Sequence, residues 1–517
     1  MALSRDAYRA LEAIVGPENI SEDPAITLGY SYMNFVPLLY ESPRLAPFLP
    51  EAVVLPGSTK EVSDIMKVCG RHKVRFKAFS LGWNVAATVG GEGVILLDLR
   101  RMDRIIDIDE KNMYAVVEPW VRMAELEVEA EKLGLAVQVI GAGAGCSVLA
   151  SSTSGWGYGT KGTSIGHNCR NLLGVEWVLP TGEIVRTGSA GTGAGWFTGD
   201  GPGPSLRGVI RGWSGALSGH GVFTKCATKL GHWPGPAYPE RTHELPSIGM
   251  SLPQNFKLYI ANWPDWDTLA DAFYKLNECE IGMSVWATPP ATIALFASGT
   301  NNEALQLMTS LPPEITNPFQ LQIFLAGSSM GQFKYEERVV RDVVAETGGQ
   351  LVPLDEEPLK SLVPIYLMYF VLTPTMTRAF RIGGEFSTTF GAAESWDISI
   401  KSAKLGTELI SKWPLGQVAF WGGGYQRNQF AHFEGAFMYD HTDPEQRKAT
   451  RGFSDEVLNA VIDNKLGFPI ISAGAVSEEV NKTLSSTYSN YALWLKKIKK
   501  TIDPENLADG TFYVEPE

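Results

Sequence analysis

The chain reads as an α+β protein in which a two-lobed domain is followed by an α+β cap domain with an antiparallel sheet, and three observations predict it. Strand-and-helix units run in order through residues 52–133. A segment rich in Gly, Ser and Thr, residues 141–159, leads into a strand, a Thr181-Gly182 turn and a second short strand within residues 176–188. Pro and Gly then cluster at residues 233–239, the kind of break that separates domains. The resulting boundaries are 1–235 for the two-lobed domain, 236–462 for the cap, and 463–517 for a C-terminal segment.

Each element has a local cause. The apolar run 52–55 reads as a strand. Ser58 followed three residues later by Glu61 forms a capping box that opens a helix, with Val62, Ile65, Met66 and Cys69 at helical spacing. A second unit passes through the turn-rich residues 80–84, a strand at 94–97, a strand at 114–117, and a helix carrying Leu126, Ala130 and Leu133. Beyond residue 239, residues 268–276 and 335–347 read as helical, and 256–260 and 320–325 as strands of the antiparallel cap sheet. Neither a repeat nor a low-complexity tract interrupts this order.

The segment 141–159 offers many N–H and hydroxyl donors with few Cβ atoms in the way, which suits a dinucleotide pyrophosphate. Taken alone it fits a Gly-rich surface loop better, and the order of the elements around it is what supports a ligand site. The order of elements over residues 45–232 resembles the FAD-binding half of the vanillyl-alcohol oxidase and p-cresol methylhydroxylase (PCMH) flavoprotein superfamily. The nearest branch is the FAD-linked oxidases related to the glycolate oxidase D subunit. Residues 498–507 resemble that family's closing helix and Asp-Pro turn, which implies that the C-terminal segment 463–517 packs back on the FAD-binding domain.

The resemblance implies a PCMH-type FAD-binding domain with FAD as cofactor. It puts Ser80, Gly82, Trp83 and Asn84 where a Gly-rich pyrophosphate loop is usual, although Trp83 there and Trp120 further on add bulk. It assigns the rest of the cofactor-binding set to Gly145, Cys146, Ser147, Ser151, Ser152, Thr153, Gly155, Gly157, Gly166, His167, Asn168, Gly221 and Val222. For His167 and His220, a loop histidine and a flavin-proximal one both fit. Cys146 fits a packed thiol, because its spacing to Gly157-Tyr158-Gly159 does not match relatives with a cysteinyl flavin, and the upstream loop has no histidine. The expectation is FAD held without a covalent bond.

Composition narrows the class. With 44 Lys and Arg against 57 Asp and Glu the net charge is −13, which argues against binding nucleic acid. No apolar run reaches 18 residues, so no membrane span is expected. The default location is cytoplasmic. Five cysteines without a CxxC pair make neither a disulfide framework nor an iron–sulfur site.

The cap should carry the substrate chemistry. If residues 377–388 form a strand, Arg378 lies on one face and Arg381 on the other, and either can clamp an anionic group; a surface ion pair with Glu385 fits as well. In 431–441 strand alternation puts His432 and Glu434 on one face, an arrangement suited to taking a hydroxyl proton, although a structural histidine is an equal reading. Tyr425 and Tyr439 are the reserve bases. Relatives that oxidise D-2-hydroxy acids carry further metal-ligating histidines and a Glu-His-Gly; here Tyr439 and residues 471–476 stand in their place, so no metal is expected.

The resulting expectation is an FAD-dependent dehydrogenase or oxidase that moves hydride from a hydroxyl-bearing carbon to flavin N5. Its partners would be a small-molecule substrate, an electron-transfer protein, and other subunits of a homo-oligomer or complex. Two alternatives remain: a flavin-containing non-redox transferase of the ether-lipid synthase type, and a non-catalytic electron-relay subunit.

Overall fold

A computed structural model describes residues 3–31, 48–82, 87–139, 143–154, 157–196, 198, 206–210, 219–235, 252–287, 294, 298–370, 385–416, 419–440, 442–469, 485–486 and 489–510. Trp83, Asn84, Gly155, Arg378, Arg381 and residues 471–476 lie outside them.

The first lobe is a four-stranded sheet in the order Ile20–Ser21, Val53–Val54, Val94–Asp98, Arg75–Phe79; the last three strands are parallel. Helix Thr59–His72 makes the crossover. Its N-cap Ser58 accepts from Glu61 N, and Val62, Ile65, Met66 and Cys69 are all buried, as their spacing predicts. The second lobe is a five-stranded antiparallel sheet: Ile105–Asp109, Tyr114–Val117, Val222–Lys229, Leu172–Val178, Ile184–Arg186. Helix Met123–Glu131 buries Leu126 and Ala130 against it. Leu133 does not continue that face; the helix stops at Glu131, the chain turns through Gly134 at φ +71°, and Leu133 is left exposed.

A buried carboxylate joins the lobes. Glu176 accepts from Thr59 Oγ1 of the first lobe at 2.7 Å, and from Arg186 Nε at 2.7 Å and Lys225 Nζ at 2.6 Å of the second. Burial alone would raise its pKa, but the hydrogen bonds from Lys225, Thr59 and Arg186 outweigh it and bring the carboxyl down to about 2.

The cap is an eight-stranded antiparallel sheet in the order Gln350–Leu351, Phe256–Asn262, Gln320–Ala326, Ser284–Ala287, Ala419–Tyr425, Phe430–Tyr439, Glu385–Glu394, Phe468–Pro469. Alternation sends Tyr259, Val285, Ile323, Phe433 and Phe437 to one face, where they form a core with helices Trp266–Glu278, Met330–Glu346, Trp396–Ile410 and Pro444–Asp463. The opposite face carries Ile260, Trp286, Phe324, Trp421 and Tyr425, and packs on Ala136, Ile165 and Trp233 of the first domain. The chain then returns to that domain. After helix Tyr491–Ile502, residues 507–509 lie alongside Phe76, whose N–H donates to Leu507 O and whose carbonyl accepts from Asp509 N.

Candidate active site

The seam between the first domain and the inner face of the cap sheet is built by one loop, residues 157–166. Its polar groups are met from the cap: Gly159 N donates to Tyr425 Oη at 2.8 Å, Gln426 N to Gly162 O at 3.0 Å, and Ser164 Oγ to Met283 O at 2.8 Å. Two glycines permit this approach. A Cβ on Gly159 would stand 1.9 Å from Val139 O, and one on Gly162 would stand 2.3 Å from two atoms of the Tyr425 ring. The loop is held from behind by buried Lys161, which pairs with Glu127 of helix Met123–Glu131 and lies 5.5 Å from the Trp233 ring centroid.

Aromatic and imidazole rings gather at this seam. Tyr158 stacks on His432 of the cap at 3.8 Å between centroids and 15°, and on His167 of its own domain at 4.9 Å and 15°. Tyr425 and Phe430 close in at 5.7 Å and 6.0 Å from Tyr158, and Trp421 meets His432 edge-on at 5.3 Å. Burial pushes the Tyr158 phenol up, and the nearby Cys169 and Glu434 add to it, so the hydroxyl keeps its proton at neutral pH. His432 is fully buried, and neither ring nitrogen makes a hydrogen bond; Glu434 Oε2 stands 3.5 Å from Nε2.

The cofactor residues expected from the sequence divide. His167 and Asn168 are brought to the seam: His167 is buried against Tyr158, and the Asn168 side-chain amide is buried with Nδ2 unpartnered. Gly157 lies beside them, where a Cβ would meet Asn168 Cβ at 2.7 Å and Ser151 O at 2.8 Å. Gly166, at φ +99°, borders Asn171 and Gln426.

Other hydroxyls of the set are already engaged by the backbone. Ser147 caps helix Val148–Thr153, accepting from Ala150 N and donating to Pro119 O at 2.6 Å; Ser152 Oγ and Thr153 Oγ1 donate to Val148 O and Leu149 O. The hydroxyl protons of these three are committed to the backbone, and their side chains keep only acceptor lone pairs for a ligand. Gly145 is exposed, and Val222 packs its side chain into the core of the first lobe, with Gly221 turning at φ +113° just before it. Cys146 is buried, and burial pushes its thiol up to about 12, so it is not a thiolate at neutral pH. Ser80 and Gly82 follow strand Arg75–Phe79, with Gly82 at φ +66°.

The catalytic residues divide as well. His432, Glu434 and Tyr425 share the inner face of the cap sheet, and the structure brings His432 and Tyr425 together around Tyr158. Tyr439 does not join them; seven residues from His432 it has the opposite parity, and it packs in the core beneath the helices. Sequence reasoning missed Gln138, Asn171, Gln322, Trp286 and Tyr366. Each is buried with a polar atom that has no partner: both amide atoms of Gln138 and Asn171, Gln322 Oε1, Trp286 Nε1 and Tyr366 Oη. The period-two pattern in 284–287 and 320–326 was the available signal. It places Trp286 and Gln322 on the same face as His432.

Unpartnered amides at Gln138, Asn168 and Asn171, beside glycines a Cβ would block, are what a polar, hydrogen-bonding cofactor edge requires. The fold is a two-lobed domain followed by a cap whose inner face meets it at this seam. Residues 50–188 match the family described as FAD binding domain. The chain is 30% identical over 229 residues to glycolate oxidase subunit GlcD of Bacillus subtilis, an alignment covering 44% of this chain and 45% of that protein. It is 22% identical to the 4-cresol dehydrogenase [hydroxylating] flavoprotein subunit of Pseudomonas putida over 97% of this chain and 94% of that one. A crystal structure of p-cresol methylhydroxylase with substrate bound superimposes with a TM-score of 0.75 at 20% identity, covering 99% of this chain and 96% of that one. The chain therefore carries an FAD-binding domain, and its fold is that of the p-cresol methylhydroxylase structure. Among the described residues no helix is long and apolar enough to cross a membrane.

Proposed function

We propose that the protein oxidises a hydroxyl-bearing carbon of a small organic substrate bound between the cap sheet and the 157–166 loop, and passes the electrons to a protein or small acceptor. The observation that carries this reading is His432, an imidazole buried in an aromatic seam with both nitrogens unengaged and a carboxylate 3.5 Å away. The buried amides of Gln138, Asn168 and Asn171, together with the backbone of Gly157, would hold FAD. The cofactor, when bound, supplies the two-electron acceptor that alcohol oxidation needs. His432 takes the hydroxyl proton, and Glu434 orients the ring and stabilises the imidazolium that results. Tyr158, stacked on His432, fixes the ring plane and keeps water out. The Tyr425 hydroxyl, accepting from Gly159 N, ties the cap to the loop, so closing the seam and positioning Tyr158 are one event.

The 4-cresol dehydrogenase relative is a flavoprotein subunit by name, and an electron-accepting partner is part of this proposal. The test is anaerobic: purified holoprotein is mixed with 2-hydroxy acids, phenolic alcohols and aliphatic alcohols, and flavin absorbance near 450 nm is followed. Bleaching by a hydroxyl-bearing compound supports the proposal. A flavin that dithionite reduces, but that no such compound bleaches, would count against it and favour an electron-relay role.

A further inference from the structure

We propose that Arg100 is a cofactor-binding residue whose Nη1 edge donates to the pyrophosphate of FAD, while Asp98, Tyr30 and Trp120 hold its guanidinium in place. This rests on the match of residues 50–188 to an FAD-binding domain, and not on the alcohol-oxidation reading.

The guanidinium has one orientation open to it. Asp98 is fully buried; its Oδ1 accepts from Arg100 N at 2.9 Å, and its Oδ2 accepts from Arg100 Nε at 2.8 Å and Nη2 at 2.7 Å. Nη2 also donates to Tyr30 Oη at 2.8 Å, and that hydroxyl donates in turn to Asp98 Oδ2. The Trp120 ring lies 5.4 Å from the Arg100 Cζ and supports its face. A guanidinium has five N–H groups, and Nε and Nη2 spend theirs on Asp98 and Tyr30. The N–H pair of Nη1 remains, and among the described residues nothing takes it. The side chain is 48% exposed, so this open edge faces solvent and has room for a ligand.

Position points the edge at the cofactor. Strands Val53–Val54, Arg75–Phe79 and Val94–Asp98 are parallel, and ligands of such sheets bind beyond the carboxyl ends of the strands. Arg100 stands at that end. Leu99 N donates to Phe79 O at 3.0 Å, which sets Arg100 beside the turn that opens at Ser80. Trp120 joins it to the second lobe: Trp120 N donates to Met102 O at 2.9 Å, and the preceding Pro119 carbonyl accepts from Ser147 Oγ at 2.6 Å. Neighbouring cations are engaged elsewhere. Lys77 Nζ donates to Asp509 O at 3.1 Å, Arg101 Nη1 to Leu55 O at 2.8 Å, and Arg104 forks onto Glu118. A pyrophosphate leaving water needs oriented donors, and a pinned guanidinium edge supplies a pair of them. Since Asp98 offsets its charge, Arg100 acts through that orientation more than through net charge.

The test follows flavin release by fluorescence on serial dilution of the holoprotein, with ADP and adenosine as competitors that differ in the pyrophosphate. Arg100→Gln should raise the FAD dissociation constant at least about 10-fold, the factor equivalent to 1.4 kcal/mol, and should weaken ADP competition by a similar factor. Adenosine should compete equally with wild type and variant. An FAD dissociation constant within about threefold of wild type, unchanged ADP competition, or an equal weakening toward adenosine would overturn the assignment; the last would mean that Arg100 only supports the fold. If Arg100→Gln fails to fold, Arg100→Lys is judged by the same measurements, because Lys cannot bridge Asp98 and a phosphate with one rigid fork. A wild type that binds no FAD would instead overturn the FAD-binding assignment, and failure of the alcohol-oxidation reading leaves every one of these binding constants untouched.

Discussion

Replacing Glu176 with Gln keeps the shape of the side chain at the junction of the two lobes and removes its charge. The carboxyl falls from an ordinary value of 4.5 to about 2 in the folded protein, because the hydrogen bonds from Lys225, Thr59 and Arg186 outweigh the cost of burial. At 1.36 kcal/mol per pKa unit the fall corresponds to about 3 kcal/mol, and to about 2 kcal/mol once the half-exposed Arg186 is discounted for screening. The sign follows from linkage. A depressed carboxylate contributes fully above its unfolded value of 4.5, and the contribution drains away as pH falls toward about 2. At pH 3 about half or less of it remains. The assay is urea denaturation of wild type and Glu176→Gln at pH 7, 5 and 3, followed by tryptophan fluorescence. The stability gap should be about 2 kcal/mol at pH 7 and 5, and should shrink to about 1 kcal/mol or less at pH 3. A gap of equal size at all three pH values would mean that the charge is not what joins the lobes.

Four further outcomes are expected. His432→Ala should slow anaerobic flavin reduction by roughly 10² to 10⁴ with a reducing substrate found in the screen, the range for a placed general base; reduction at the wild-type rate would remove His432 from the mechanism. Gly162→Ala places a methyl 2.3 Å from the Tyr425 ring, and should destabilise the protein by about 1–3 kcal/mol and lower the flavin-to-protein absorbance ratio; unchanged melting and flavin content would show that the loop and cap are not rigidly joined there. Acid precipitation should release the FAD into the supernatant, since Cys146 is a buried thiol rather than a thiolate; yellow colour retained in the pellet would show a covalent bond to another residue. Activity should survive exhaustive chelation, and its loss with recovery on added zinc or manganese would show a metal site.

Local signals carried much of the fold in the sequence. The Ser58 cap with its apolar stripe, the hairpin at Leu172–Val178 and Ile184–Arg186, and the cap strands at Phe256–Asn262 and Gln320–Ala326 all depend on neighbours within a few residues. Parity also placed His432 beside Glu434. What local pattern could not show was how the strands are ordered. Trp286 and Gln322 become partners of the His432 row only because strand Ser284–Ala287 lies between Gln320–Ala326 and Ala419–Tyr425, an arrangement made by long crossovers. The hydroxyls of Ser147, Ser152 and Thr153 also have backbone partners that the composition of the run does not show. A Ser/Thr run at a helix start serves the helix first, bonding its own backbone before any ligand.

The return of residues 507–509 to strand Arg75–Phe79 sets the order in which the molecule can be completed. Arg75 is salt-bridged to Asp509, 434 residues further on, and the same carboxylate accepts from Gly90 N. On the ribosome, the first lobe therefore emerges with the outer edge of its parallel sheet bare, its hydrogen-bonding groups facing solvent throughout synthesis of the cap. A nascent chain in that state is a template for wrong pairing, and the interval lasts until the distal residues arrive. Yield in a heterologous host should thus respond to holdase chaperones and to lower temperature more than to any change within the cap. A tag or truncation that disturbs 507–509 would damage the first lobe, at the opposite end of the sequence.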